Sequence, residues 1–177
     1  MRLFIGVLAM LPASFAVAAQ VATDPNLFAS RDPNRDADIY TWAVSSAEIS
    51  LNRPYLGFFV ERDSSRRPQA PTMVISAKTA KGLRPECRNA VWTVDGAVMK
   101  PQEQANHIAK LPQAGVLENL NSVFTVQDLR TVAAAESVKY KLCESEYAMT
   151  EKEQEGLRGV LGLFDGRLVI KEHPAHD

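Results

Sequence analysis

The sequence predicts a single α+β domain. Helices pack on one face of a mostly antiparallel sheet, and one disulfide joins Cys87 to Cys143. Three observations lead there. Strand-like runs fill the first part of the chain, and two strand–helix alternations close it. An Asp95-Gly96 pair separates two strand-like runs, as in a tight hairpin. The two cysteines follow an export signal, and an even pair in an oxidising compartment forms a bridge. A β-sandwich is the rival architecture, weakened by the helix signals near the end.

Composition sets the frame. The chain has 177 residues, 46% hydrophobic and 23% charged, which suits one ordinary domain. Collagen-like, disordered and disulfide-dense classes are excluded. Twenty basic residues against 21 acidic ones give a formal net charge of -1, no electrostatic reason to expect nucleic acid.

Residues 1–19 read as a secretory signal peptide. Met1-Arg2 is positive, Leu3 to Leu11 is apolar, Pro12 ends the run, and Val17-Ala18-Ala19 is a small-residue cleavage site. Export to the periplasm or the exterior follows, with cleavage near Ala19. No later stretch is apolar and long enough to span a bilayer.

Residues 20–38 read as an irregular leader, because Asp24-Pro25-Asn26 and Asp32-Pro33-Asn34 form turns. The domain proper is expected over 39–171. Ile39 to Leu51 is rich in strand formers, and Tyr55 to Val60 has the apolar run of a buried strand. Glu61 to Pro71 reads as an exposed loop leading into a strand at Thr72 to Ser76. Those three strands suit a meander. Ala90–Val94 and Ala97–Met99 flank the Asp95-Gly96 turn. Pro101 opens an expected helix to Lys110, and Gly115 to Leu120 adds a short helical turn. Thr125 and Asp128 mark a helix start. Ser137 to Cys143 alternates as a half-buried strand. Thr150 and Glu153 form a capping box for a last helix carrying Leu157, Val160, Leu161 and Phe164. Asp165-Gly166 then turns into a strand at 167–170. Residues 172–177 read as a flexible tail.

Candidate chemistry is sparse. Asp32, Asn34, Asp36 and Asp38 alternate like the start of a calcium loop, but Ala37 and Ala43 stand where that loop needs Gly and Glu. The tail carries His173 and His176 without a rigid surround. Gly156, Gly159 and Gly162 make a smooth helical strip that another backbone can approach. No nucleophile motif, phosphate loop or cysteine–histidine metal spacing occurs in the sequence, so no catalytic residue, metal ligand or cofactor is assigned.

Charge distribution carries the functional expectation. Eight basic and four acidic residues fall between Glu61 and Lys100, whereas five Glu and one Lys fall between Glu144 and Glu155. Such segregation steers charged partners. Arg66, Arg67, Lys78, Lys81, Arg84 and Arg88 are the candidate binding residues. The expected protein is non-enzymatic and binds a protein or another anionic envelope macromolecule, as an inhibitor, immunity-type or envelope accessory protein does. Mutual neutralisation of the two segments is the competing expectation. One alternative function is an exported hydrolase using His107 as base. Another is small-ligand binding in a pocket lined by Trp42, Tyr55, Phe58 and Trp92.

Overall fold

Strand pairing organises the described residues into three sheets. The computed structural model describes residues 20–44, 53–63, 68–111 and 115–170, without the side chains of 68–70 and 110–111. The signal peptide, Arg66, Arg67 and the tail histidines His173 and His176 lie outside the described residues.

The largest sheet has six strands. These are β2 (Leu27–Asp32), β3 (Ala37–Trp42), β4 (Tyr55–Asp63), β5 (Pro68–Thr79), β8 (Glu103–Leu111) and β9 (Gly115–Val123), in the order β2-β3-β4-β5-β9-β8. Each neighbouring pair is antiparallel, and β3-β4-β5 forms the expected meander. A four-stranded antiparallel sheet follows the order β11-β10-β6-β7. It contains β6 (Ala90–Val94), β7 (Ala97–Met99), β10 (Val138–Leu142) and β11 (Ser145–Ala148). The third sheet pairs β1 (Gln20–Ala22) with β12 (Leu168–Ile170) in parallel. The helices are α1 (Val126–Ala134) and α2 (Glu151–Phe164).

Four expectations are corrected. The segment 20–38 is not an irregular leader, since it holds β1, β2 and the start of β3. Its strands escape notice because β2 is an edge strand that buries only Leu27, so polar residues dominate it. The Asp32 carboxylate shapes the turn between β2 and β3, accepting from the N–H groups of Asn34 and Arg35. The stretch after Pro101 is strand β8 rather than helix. Its Glu, Gln, Ala and Lys residues favour helix locally, but the pairing with β9 runs its full length and overrides them. Gly115 to Leu120 belongs to β9 for the same reason. Residues 61–71 are strand at both ends: β4 runs on to Asp63 and β5 begins at Pro68.

Several local signals form as read. Asp95 and Gly96 both have positive φ, 47° and 81°, which lets β6 turn directly into β7. Thr125 with Asp128, and Thr150 with Glu153, close two complete capping boxes. Cys87 and Cys143 are paired, with Cα atoms 4.7 Å apart and a sequence separation of 56.

The core lies between the large sheet and the elements packed on it. Trp42, Phe58, Met73, Ile75 and Leu120 point inward from the large sheet, and Trp92 and Tyr140 from the small one. Trp92 donates to the Ser122 hydroxyl at 3.1 Å, which fixes the small sheet over β9. Helix α2 lies against β2, β3 and β4. Its glycine strip meets side chains, not a backbone: Gly156 faces Trp42, Gly159 faces Leu27 and Gly162 faces Leu168. Tyr140 lies between Trp92 and Tyr147 and donates to the Pro54 carbonyl at 3.1 Å. Burial pushes its phenol up from the ordinary value, and the nearby Glu153 carboxylate adds to the rise.

Candidate functional site

Strand β5 ends in Thr79, and the chain then loops through residues 80–89 to β6. Four contacts hold that loop. Gly82 donates its N–H to the Thr79 hydroxyl at 2.9 Å. Leu83 donates to Glu118 Oε2 at 3.1 Å. Arg88 approaches Glu118 Oε1 at 3.5 Å. Cys87 is tied to Cys143, just beyond β10. Glu118 is fully buried on β9, so its charge requires these partners.

This arrangement divides the expected basic residues. Arg88 turns inward, half-buried, and its guanidinium answers Glu118 instead of facing a partner. Lys81 and Arg84 are exposed, and Arg84 Nη2 lies 3.8 Å from Cys143 Sγ. Arg84 also meets Glu86 at 3.3 Å, with both side chains largely in solvent, where such a pair contributes little. Lys78 lines a crevice of about 180 Å³ together with Arg53, Ser145, Tyr147 and the disulfide. Arg53 is already engaged, donating to the Ala148 carbonyl and to Glu153, each at 2.9 Å. Lys78 and Lys81 have no ion-pair partner among the described residues.

Mutual neutralisation of the basic and acidic segments is not what the ion pairs show. Among the described residues no ion pair links 78–88 to 144–155. Glu146 pairs with Lys139 at 2.9 Å, and Glu153 with Arg53.

The alternating carboxylates at 32–38 are engaged by arginines. Arg35 donates to Asp32 at 2.7 Å and to Glu61 at 2.9 Å. Arg31 pairs with Asp36 and Asp38, and Arg62 also reaches Asp38. The Arg35 hydrogen bond, with help from the Asn34 N–H, holds the Asp32 carboxyl below the usual carboxylate range.

His107 is exposed on the edge strand β8, opposite Asn119. Among the described residues no carboxylate or hydroxyl is hydrogen-bonded to it. Trp42, Phe58 and Trp92 are core rings with at most 1% exposure, so the four expected aromatics do not line one pocket. Trp42 and Tyr55 do border a cleft of about 430 Å³ between the sheet and the start of α2, with Val44, Arg53 and Glu153.

A groove of about 460 Å³ lies on the opposite, outer face of the large sheet. Alternation along the strands builds it. Trp42, Phe58, Ile75 and Leu120 point inward, which turns Gly57, Phe59, Val74, Ser76, Asn119 and Asn121 outward. Gly57 pairs with Val74, and Val74 with Asn121, so these three form one row across the sheet. Tyr55, Ser76 and Asn119 form the next row. The Ser76 hydroxyl donates to Asn119 Oδ1 at 2.9 Å. None of the groove's lining residues is charged. Sequence reasoning missed this site because residues 115–120 read as helix, which hid the outward Asn119-x-Asn121 alternation.

No protein-family model, no curated protein and no solved structure matches the chain.

Proposed function

We propose that this is an exported, non-enzymatic binding protein whose partner presents a cluster of carboxylates. Its contact surface is the crevice beside the disulfide, lined by Lys78, together with Arg84 next to Cys143 and Lys81 on the adjoining loop. The observation that carries this reading is the absence of ion pairs between residues 78–88 and the acidic segment, among the described residues. Lys78 and Lys81 are left to an external partner, and Arg84 pairs only with the exposed Glu86 among the described residues. The disulfide and Glu118 hold their loop, so little ordering entropy is lost on binding. An inhibitor, immunity-type or envelope accessory role fits such a surface. The signal-peptide pattern supports export.

The test uses the oxidised mature protein and a glutamate-rich peptide. Binding by titration calorimetry should weaken with added salt. Reversal of Lys78, Lys81 and Arg84 to Glu should reduce affinity at least roughly tenfold, in line with lost charge pairs. The same triple variant should lose whichever envelope partner the wild type retains. Unchanged affinity and unchanged salt dependence in a folded variant overturn the reading.

A further inference from the structure

The outer groove has a chemistry unlike the basic crevice, and we propose that it binds an uncharged saccharide. The rows across the sheet divide it into an apolar side and an amide side. Gly57, Phe59 and Val74 supply the first, with Thr41 and Thr72 flanking Phe59, and Asn119 and Asn121 supply the second. Strands lie about 4.8 Å apart, so the row from Gly57 to Asn121 spans about 10 Å. A sugar ring has matching faces, with C–H bonds on its flat side and hydroxyls round its rim. Its C–H face suits the Phe59 ring and the bare backbone at Gly57.

Gly57 is the telling position. A Cβ built there would lie 3.4 Å from the Trp42 carbonyl and 3.9 Å from Val74 Cβ, which are ordinary contacts. Its φ lies outside the left-handed region. The fold therefore accepts alanine, and glycine inside a strand costs about 0.5–1 kcal/mol. What the missing side chain provides is depth in the groove, the setting in which a strand glycine admits a ligand.

The polar side is equally selective. Ser76 donates to Asn119 Oδ1, which leaves the Asn119 amide N–H groups as donors to a ligand. The Asn121 side chain has no hydrogen-bond partner among the described residues. Its amide can both donate and accept, as vicinal hydroxyls also do. An alkyl chain in the groove would strip water from these amides without replacing the hydrogen bonds. An anionic ligand would find no cation in the lining.

The experiment is amide-resolved NMR on the isotopically labelled, oxidised mature protein. Maltotetraose and chitotetraose, both uncharged, are the probes, with octanol as the apolar control. At least one saccharide should shift the signals of Gly57, Phe59, Ser76, Asn119 and Asn121 with roughly millimolar affinity, insensitive to salt. Gly57→Leu should abolish the response by filling the groove. Asn121→Ala, a surface change that tests the site even if the leucine variant fails to fold, should weaken it roughly tenfold. Arg84→Glu, on the loop beside Cys143, should leave it unchanged, which separates this site from the basic crevice. No response from these residues to either saccharide, shifts confined to other residues, or a response to octanol alone overturns the proposal.

Discussion

Gly156 of helix α2 sits flat against the indole of Trp42, with no room between them for a methyl group. Trp42 is fully buried and its Nε1 donates to Asp24 at 2.7 Å, so the ring has little freedom to retreat. The helix approaches β3 this closely only because residue 156 has no side chain.

Gly156→Ala should therefore destabilise the protein by about 2 kcal/mol, in the range of overpacked cores. Alanine's better helix propensity, worth about 1 kcal/mol, offsets only part of the clash. Gly159→Ala is the contrast. Its Cβ would meet Leu27 Cδ2 at 3.1 Å, the end of a flexible side chain that can shift. That variant should lie within about 0.5 kcal/mol of wild type. Denaturant unfolding of both variants checks the pair, and equal losses would contradict it.

Arg88 and Arg84 should behave oppositely although they are four residues apart. Arg88→Ala leaves the buried Glu118 short of its cation and should cost about 2 kcal/mol or more. Arg84→Ala removes an exposed side chain and should change stability by less than about 0.5 kcal/mol. Thermal unfolding distinguishes them. A destabilised Arg84 variant would show that its exposed contacts matter to the fold.

Reduction of the Cys87–Cys143 bridge should lower stability by about 4 kcal/mol, the chain-entropy value for a loop of this size. Unfolding curves with and without dithiothreitol give the number directly. A double Cys→Ala variant should match the reduced protein. Glu118 should keep the 80–89 loop partly in place after reduction, so the crevice loosens before the core does.

Alkaline pH should act through Tyr140. Its folded-state pKa is raised above the unfolded value near 10, chiefly by burial. The folded state thus holds this proton more tightly than the unfolded chain does. The associated stability is complete below about pH 10 and is lost as pH rises towards the folded pKa. Tyr140→Phe should cost about 1 kcal/mol at neutral pH through the lost bond to Pro54. It should then lose less than wild type above pH about 10. Parallel losses in the two proteins would remove Tyr140 as the group responsible.

Local chemistry explains what the sequence revealed and what it concealed. The Asp95-Gly96 turn, the two capping boxes and the alternation of Val138, Tyr140 and Leu142 are decided by near neighbours, so they were legible. Strands β2, β8 and β9 are decided by partners far along the chain. Residues such as Gln104 and Ala105 favour helix until β9 pairs with them. The cysteine pairing was legible because only one pairing exists within the chain. The division of Arg88 from Arg84 was not, because it depends on where β9 places Glu118. The outer groove was hidden with the strand that carries its amides.

The parallel ladder of β1 and β12 has a consequence for the order of assembly. Among the described residues, β1 has no other strand beside it, and Gln20 donates its N–H to the Arg167 carbonyl at 3.0 Å. A ribosome produces the first of these strands long before the second. Wherever the chain is delivered, β1 waits for the last described strand to emerge before it finds its place. A protein stalled or cut before Leu168 would keep the large sheet but leave its leading segment unpaired, a natural handle for quality-control proteases.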